Sequence, residues 1–420
     1  MIEKIIELSV KNRVFIFLIF ALLSLASVWG VKNGSFDALP DLTPTQVIVE
    51  VKWEGQSPQV IDKQITYPLT SSFLSLANIE TVRGFTGFST SLIYIVFKDK
   101  TDLYFARTRV LEKLSQNLQS LPKEAVVSLG PDATGVGWVY QYALKSKTLN
   151  MAELRSHQDY FLRFGLLSVP GVSEVASIGG YVKNYEITVN ESSLANYNLS
   201  ILDVADAVQK ANASDGARVV LQNGYENMVQ TSGYYKDEND ILNTPINTKE
   251  GVALKISDIA SVNIIPSERR GIAELNGEGE TVGGIVVART KENAHKVIAD
   301  VKEKLKTLQH EAVEIVSVYD RSELIEKGIS TLKRALLEEV IAVAVITAIF
   351  LGHAGSIAVI VLTLPLTIGL TFLAMTLFGV SSNIMSLGGI AIAIGAMIDA
   401  SIVLVENVHK HLCEDRKSVV

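Results

Sequence analysis

The stretch Ile384-Met-Ser-Leu-Gly-Gly-Ile-Ala-Ile-Ala-Ile-Gly-Ala-Met-Ile-Asp-Ala-Ser-Ile-Val-Leu-Val405 decides how this chain is read. It is long and apolar enough to cross a bilayer, and it contains one carboxylate, Asp399. An acidic side chain at that depth costs about 2.5–3.5 kcal/mol on insertion scales. Folding gains nothing from that cost, so a proton- or ion-coupled transporter is the leading reading. At about 100° per residue, Met385, Gly388, Ile392, Gly395 and Glu406 lie within about 40° of the Asp399 face. Met397 falls nearly opposite. Gly388 and Gly395 would let another helix approach closely, so Asp399 is expected to point into a bundle and share a proton there. The plainer alternative is a buried Asp that only hydrogen-bonds a neighbour.

Three other stretches meet the length rule for a span. They are Val14–Val31, with small Ser24, Ala26 and Ser27 for helix contacts; Ala335–Leu351, with Glu338 and Glu339 at its outer end; and Ile357–Phe378, which Pro365 is expected to kink. The first is read as retained, because its apolar run exceeds a signal-peptide core and no Ala-x-Ala-type site follows. Lys4, Lys11 and Arg13 precede the first span, and His409, Lys410 and His411 follow the last. Both flanks are therefore assigned to the cytoplasm. Lys32–Arg334 becomes a large extracytoplasmic domain. The chain of 420 residues is 48% hydrophobic and 20% charged, with mean hydropathy +0.28, which suits several spans plus one aqueous domain. A net charge of −7 gives no reason to expect nucleic-acid binding.

Within the large segment, Gln46–Trp53 alternates apolar and polar residues as a half-buried strand does. Ser91–Phe97 is β-rich, and the helix after it places Leu103, Ala106, Val110, Leu114 and Leu118 on one face before Pro122. The plan repeats: Val282–Ala288 reads as a strand, and the next helix stacks Val297, Ile298, Val301, Leu305 and Leu308. Two α/β subdomains follow from βαβ units. Between them, Tyr181–Arg270, with Asn223-Gly224 and the Tyr185–Val189 run, reads as an inserted small domain.

Other chemistry is weakly signalled. Cys413 is the only cysteine, which leaves no disulfide framework and no cysteine-based zinc cluster. His157, His295, His310, His353, His409 and His411 show no ligand spacing within a structured element. Met151 and Met228 read as core residues rather than ligands. No phosphate-binding glycine loop and no nucleophile–base arrangement stands out, so no enzyme activity is expected.

Laid end to end, these segments resemble the heavy-metal efflux branch of the resistance–nodulation–division (RND) transporters. The resemblance rests on Asp37-Ala-Leu-Pro-Asp-Leu, Tyr67-Pro-Leu-Thr, Thr81-Val-Arg-Gly-Phe and Gly130-Pro-Asp-Ala-Thr-Gly-Val-Gly-Trp138. It continues through Arg269-Arg-Gly-Ile-Ala-Glu-Leu-Asn-Gly-Glu-Gly279, Tyr319-Asp-Arg-Ser and the last span to Glu406-Asn407. It implies a membrane α-helical bundle of four spans (14–31, 335–351, 357–378 and 385–405) after a cytoplasmic segment 1–13. It also implies a periplasmic α/β domain of ferredoxin-like porter subdomains, at 36–135 and at 136–180 plus 271–318, with a docking insertion at 181–270. Such pumps are inner-membrane homotrimers that work with a periplasmic adaptor and an outer-membrane channel. They use the proton gradient and need no cofactor.

In that family the last-span Asp takes and releases the driving proton, and the matching position is Asp399. Drug exporters carry two adjacent Asp residues there, whereas Ala400 follows Asp399. Exporters of zinc, cobalt and cadmium read Asp-Phe-Gly where this chain has Ala393-Ile394-Gly395, a form that looks like the Cu(I)/Ag(I) class. The soft thioethers of Met385 and Met397 suit that cargo as a conduit, although Leu404 stands where the class often has another Met. The main metal site and the charged partners of Asp399 are expected outside this stretch, which would be the N-terminal part of a pump. The alternatives are an RND pump for divalent metals or drugs, and a non-transporting membrane-anchored binding or assembly module. The resemblance stops at Glu414. Asp415–Val420 is expected to be a non-native tail, because it reads like a translated sequencing adapter; a frameshifted gene is the alternative.

Overall fold

The computed structural model describes residues 9, 11–247, 253–267, 269, 271–351 and 354–417. Most of the segment 1–13, including Lys4, and the end of the expected tail, 418–420, lie outside the described residues. The chain forms two compact units: Met1–Lys147 with His157–Ile178 and Gly283–Val420, and Thr148–Ser156 with Gly179–Val282.

In the first unit, helix α1 (Arg13–Asn33) leads into a four-stranded sheet of β1 (Gln46–Lys52), β2 (Ile79–Gly87), β3 (Thr90–Phe97) and β4 (Val126–Leu129), in the order β2-β3-β1-β4. The alternation read in the sequence buries Val47, Val49 and Val51, and Val49 stands opposite Ile93 of β3. Helix α2 (Leu103–Asn117) starts at Asp102, whose side chain accepts the Phe105 N–H, and buries Ala106, Val110 and Leu114. Leu118 leaves that stripe. The helix gives way there to a 3₁₀ turn with a shorter repeat, and Leu118 is 48% exposed.

A second sheet has β5 (Trp138–Lys145), β6 (Val172–Gly179), β7 (Val282–Ala288) and β8 (Glu314–Asp320), with helix α3 (Ala294–Thr307) before β8. Its order, β6-β7-β5-β8, repeats the first sheet strand for strand. Each is a βαββαβ unit of the split-βαβ kind, and the second is interrupted between its second and third strands.

That interruption belongs to the second unit, which contains the stretch 181–270. Strands Lys183–Val189 and Ala260–Pro266 pair antiparallel there. Helix Ile201–Ala211 opens with a reciprocal Ser200–Asp203 capping box. Leu194, Val204, Ile246, Ile256 and Ile259 form the core. The Asn223-Gly224 signal is a two-residue hairpin turn with both φ positive, 53° and 78°, between Ser214–Gln222 and Tyr225–Ser232. Met228, expected in a core, is 75% exposed on this hairpin. Every side chain of its strand is exposed, so period-2 patterning finds no buried face there.

Helix α4 (Arg321–Leu351) continues from β8, followed by α5 (Ala354–Leu377) and α6 (Ile384–Lys417). Among the described residues, three helices are long and apolar enough to cross a membrane: Arg13–Asn33, Ile357–Leu377 and Ile384–Val408. The stretch Ala335–Leu351 forms the C-terminal part of α4 and is not among them. Arg334, Glu338 and Glu339 interrupt its apolar run, and the described residues pause after Leu351. Pro365 lies inside α5, which continues through it.

Helices α1 and α5 meet through small residues. A Cβ on Gly30 would lie 2.5 Å from Leu373 Cα, one on Gly369 would lie 2.6 Å from Ser27 Cβ, and Thr376 Oγ1 donates to the Gly30 carbonyl at 3.0 Å. These contacts run in parallel register, and the small residues let the two backbones approach closely, as helix packing in lipid favours. Gly30→Val therefore forces the pair apart. The expected loss is about 1–3 kcal/mol, visible as a lower thermal midpoint in detergent, while Val28→Ala on the exposed side leaves it unchanged.

Candidate functional site: the span bundle and its junction

Helix α6 presents two different faces. Leu387, Ile390, Ile394 and Ile398 are buried against Val343 of α4 and Leu364, Ile368 and Phe372 of α5. Met397 packs at the edge of this cluster. Asp399 lies on the other side, exposed, with Gly388 and Ile392. Met385 is there too, 71% exposed. A Cβ added to Gly388 or Gly395 would meet nothing within 4 Å. The face expected to pack closely is therefore uncovered among the described residues, because α4 and α5 use the opposite side. Met385 and Met397 do not converge on Asp399.

Where the helices enter the sheets, the sequence words acquire partners. Phe36 and Ser382 form a parallel bridge, with Asp37 N–H donating to the Ser382 carbonyl at 3.0 Å and Ser382 N–H to that of Ser35 at 2.8 Å. Arg321, the first residue of α4, is only 4% exposed. Its guanidinium donates to Asp37 Oδ1 at 3.3 Å and to the Trp138 carbonyl at 2.8 Å. One side chain thus ties the end of α1, the start of β5 and the start of α4. Burial alone would raise the neighbouring Asp320 carboxyl; hydrogen bonds from Lys302 and Ser322 instead hold it below the usual carboxylate range.

Asp132, in the Gly130–Trp138 word, joins the two sheets. Its carboxylate accepts from Ser173 of β6, from the Tyr104 hydroxyl of α2 at 2.9 Å and from Arg289 Nε at 3.3 Å. Burial opposes ionisation there, but these donors keep the carboxyl below its ordinary value. A cavity of about 530 Å³ opens beside this junction, lined among others by Asp37, Asp41, Arg289, Lys291, Glu292 and Arg321. Its charges balance, which marks it neither as a cation trap nor as an anion trap.

Sequence spacing missed one histidine pair. His157 and His310 stack edge to face with ring centroids 5.5 Å apart, and the Phe161 ring also contacts His157, at 5.0 Å between centroids. Nothing in the local sequence signals it, since the two come from separate elements. Among the described residues no cluster of three or more His, Cys, Asp or Glu could hold a metal ion. Burial, and then the facing His310, pushes the His157 pKa below the ordinary 6.5. The unfolded chain therefore binds this proton more readily, so the pair lowers stability as pH falls through 6.5 toward the folded value. His157→Gln is expected to flatten the stability profile between about pH 7 and 5, read as unfolding midpoints at each pH.

Two sheets of one topology, helices suited to a membrane and a carboxylate, Asp399, in the apolar run of the last of them define a class, and the comparison of sequences agrees. The chain belongs to the AcrB/AcrD/AcrF family, which matches residues 5–419. It is 47% identical over 420 aligned residues to the cation efflux system protein CusA of Escherichia coli K12, covering 99% of this chain and 40% of that one. The putative cation efflux system protein SilA of Salmonella typhimurium shows the same identity and coverage. The cobalt-zinc-cadmium resistance protein CzcA of Cupriavidus metallidurans is 34% identical over 98% of this chain and 40% of its own length. A crystal structure of a heavy metal efflux pump superposes with a TM-score of 0.85 at 28% identity, over 96% of this chain and 41% of that one. The chain thus spans about 40% of the length of the relatives it matches.

Proposed function

We propose that this chain is the N-terminal part of a proton-driven RND exporter of heavy-metal cations, with Cu(I) or Ag(I) as cargo. The observation that carries the proposal is Asp399, the one carboxylate of the apolar stretch Ile384–Val405 in α6, which follows the wording Ala393-Ile394-Gly395. The two 47%-identical relatives, named as a cation efflux system protein and a putative one, support it. Met385 and Met397 are the proposed soft-ligand steps of the conduit, and Gly388 and Gly395 mark where a further helix would approach Asp399. Coupling needs only that Asp399 bind a proton from one side and release it to the other. The apolar surroundings of α6 make the ionised and neutral forms favour different helix arrangements.

Four crossings are supported by direction. α1 and α5 run parallel, α4 enters from the sheet end where α1 leaves, and α5 reverses between α4 and α6. The two βαββαβ sheets are the proposed periplasmic porter subdomains, of ferredoxin-like fold, and the stretch 181–270 the docking insertion. Residence in the inner membrane, a homotrimer, and a periplasmic adaptor with an outer-membrane channel complete the proposal.

The test completes the chain with the C-terminal remainder of the Escherichia coli relative in a strain lacking its own copper and silver exporters. Raised tolerance to copper and silver, without a change for zinc, cobalt or cadmium, supports the proposal. Raised tolerance to the divalent metals alone replaces the cargo. No change for any metal favours a binding or assembly module.

A further inference from the structure

One carboxylate oxygen of the bundle is closed off from solvent without a hydrogen-bond partner among the described residues. Glu339 of α4 is half-buried, and its Oε2 is shielded from solvent with no hydrogen-bond partner among the described residues. Thr347 Oγ1, about two turns further along the same helix, is in the same condition. The adjacent Glu338 is exposed.

The depth of Glu339 follows from register. A Cβ on Gly328 would lie 3.4 Å from Ile384 Cγ1 and 3.7 Å from Leu387 Cδ1, which sets α4 against α6. The two helices run in the same direction, because α5 reverses between them. With about 1.5 Å rise per residue in each, the step from Gly328 to Glu339 equals the steps from Ile384 to Gly395 and from Leu387 to Ile398. Glu339 is therefore level with Gly395–Ile398, within about one turn of Asp399.

Among the described residues of the packed helices no cation is placed to neutralise it. Helix α5, Ala354–Leu377, contains no titratable residue. Helix α6 brings the acidic Asp399 and Glu406 over these levels; of the basic residues of α4, Lys327, Lys333 and Arg334 are exposed and Arg321 is paired with Asp37. On α1 the basic residues are Arg13 and Lys32, at its two ends. A carboxyl oxygen closed off from solvent, with no donor or cation beside it among the described residues, is compensated by binding a proton.

We propose that Glu339 is a second proton-binding residue of the bundle, working at the depth of Asp399 from the neighbouring helix. The step is simple: the carboxylate takes one proton to become the acid and gives it up again, with no other bond changed. The proposal rests on the proton-coupled reading of Asp399, but its first test does not depend on transport. The chain is placed in phosphatidylcholine vesicles, and the carboxylic-acid C=O stretch is recorded by infrared spectroscopy at neutral pH.

Glu339→Gln is expected to remove one band that Glu338→Gln and Asp399→Asn both leave in place; an unchanged spectrum in Glu339→Gln overturns the proposal. In the completed pump, Glu339→Gln is expected to slow proton-driven efflux by about tenfold or more, with Glu338→Gln equal to the parent and Glu339→Asp partly restoring the rate. Slowed efflux without loss of the band means a structural role and overturns it as well. Unimpaired efflux in Asp399→Asn overturns the coupling reading instead, whatever the band shows.

Discussion

Asp399→Asn in the completed pump is expected to abolish metal efflux while leaving the protein in the membrane at parental level. Asparagine keeps the shape of the side chain and removes its ability to ionise. Nothing packed in the described bundle depends on that side chain, since Asp399 lies on the uncovered face of α6 while Leu387, Ile390, Ile394 and Ile398 hold the helix in place. Stability should therefore change little, and the whole effect should fall on coupling. A positioned proton-transfer group contributes on the order of 10²–10⁴-fold in rate, so residual efflux of about 1% or less is the expectation. The measurement is metal uptake into inverted vesicles driven by an imposed pH gradient. Efflux near the parental rate would remove Asp399 from the mechanism. A second readout separates the causes: metal binding at equilibrium, without a gradient, should survive the substitution.

Arg321→Met should have the largest effect on stability. The guanidinium is buried, pairs with Asp37 and donates to the Trp138 carbonyl. Methionine fills much of the volume and removes both hydrogen bonds and the ion pair. Breaking a buried pair by removing one partner costs about 3–5 kcal/mol. The lower end applies here, because Asp37 is partly open to solvent and also accepts the Ala38 N–H at 2.6 Å. Arg321→Lys should recover only part of the loss, since an ammonium cannot reach two acceptors as a planar fork does. Asp37→Asn added to Arg321→Met should recover some of it by removing the uncompensated charge. Thermal midpoints in detergent of the parent, Arg321→Met, Asp37→Asn and the double variant, read as a double-mutant cycle, check this. Additive losses at the two positions would show that the pair is not coupled.

Much of the fold is written in short-range pattern. The alternation at Gln46–Trp53 became β1, and Val282–Ala288 became β7 with the same ends. The helical stripe of α3 buries Val297, Ile298, Val301 and Leu305. These signals are legible because one face of each element meets a core and the other meets water. Met228 failed for the same reason inverted: its hairpin has no buried face, so an apolar residue there carries no information about a core. Leu118 failed because the helix changes its repeat at that residue.

The site divides in the same way. Asp399, the length of its apolar host and the glycines beside it are properties of one continuous segment, so the sequence alone determined that a carboxylate sits within a span-length helix. The conserving of apolar length and the cost of a lone charge in lipid are local facts. Which face of that helix is covered was decided only by the packing of α4 and α5 on it. The same holds for the Arg321–Asp37 pair, whose members stand 284 residues apart, for the His157–His310 contact, and for the level of Glu339 beside Asp399. Each depends on where separate elements come to rest against one another, and no residue carries that information until the chain has closed its cores.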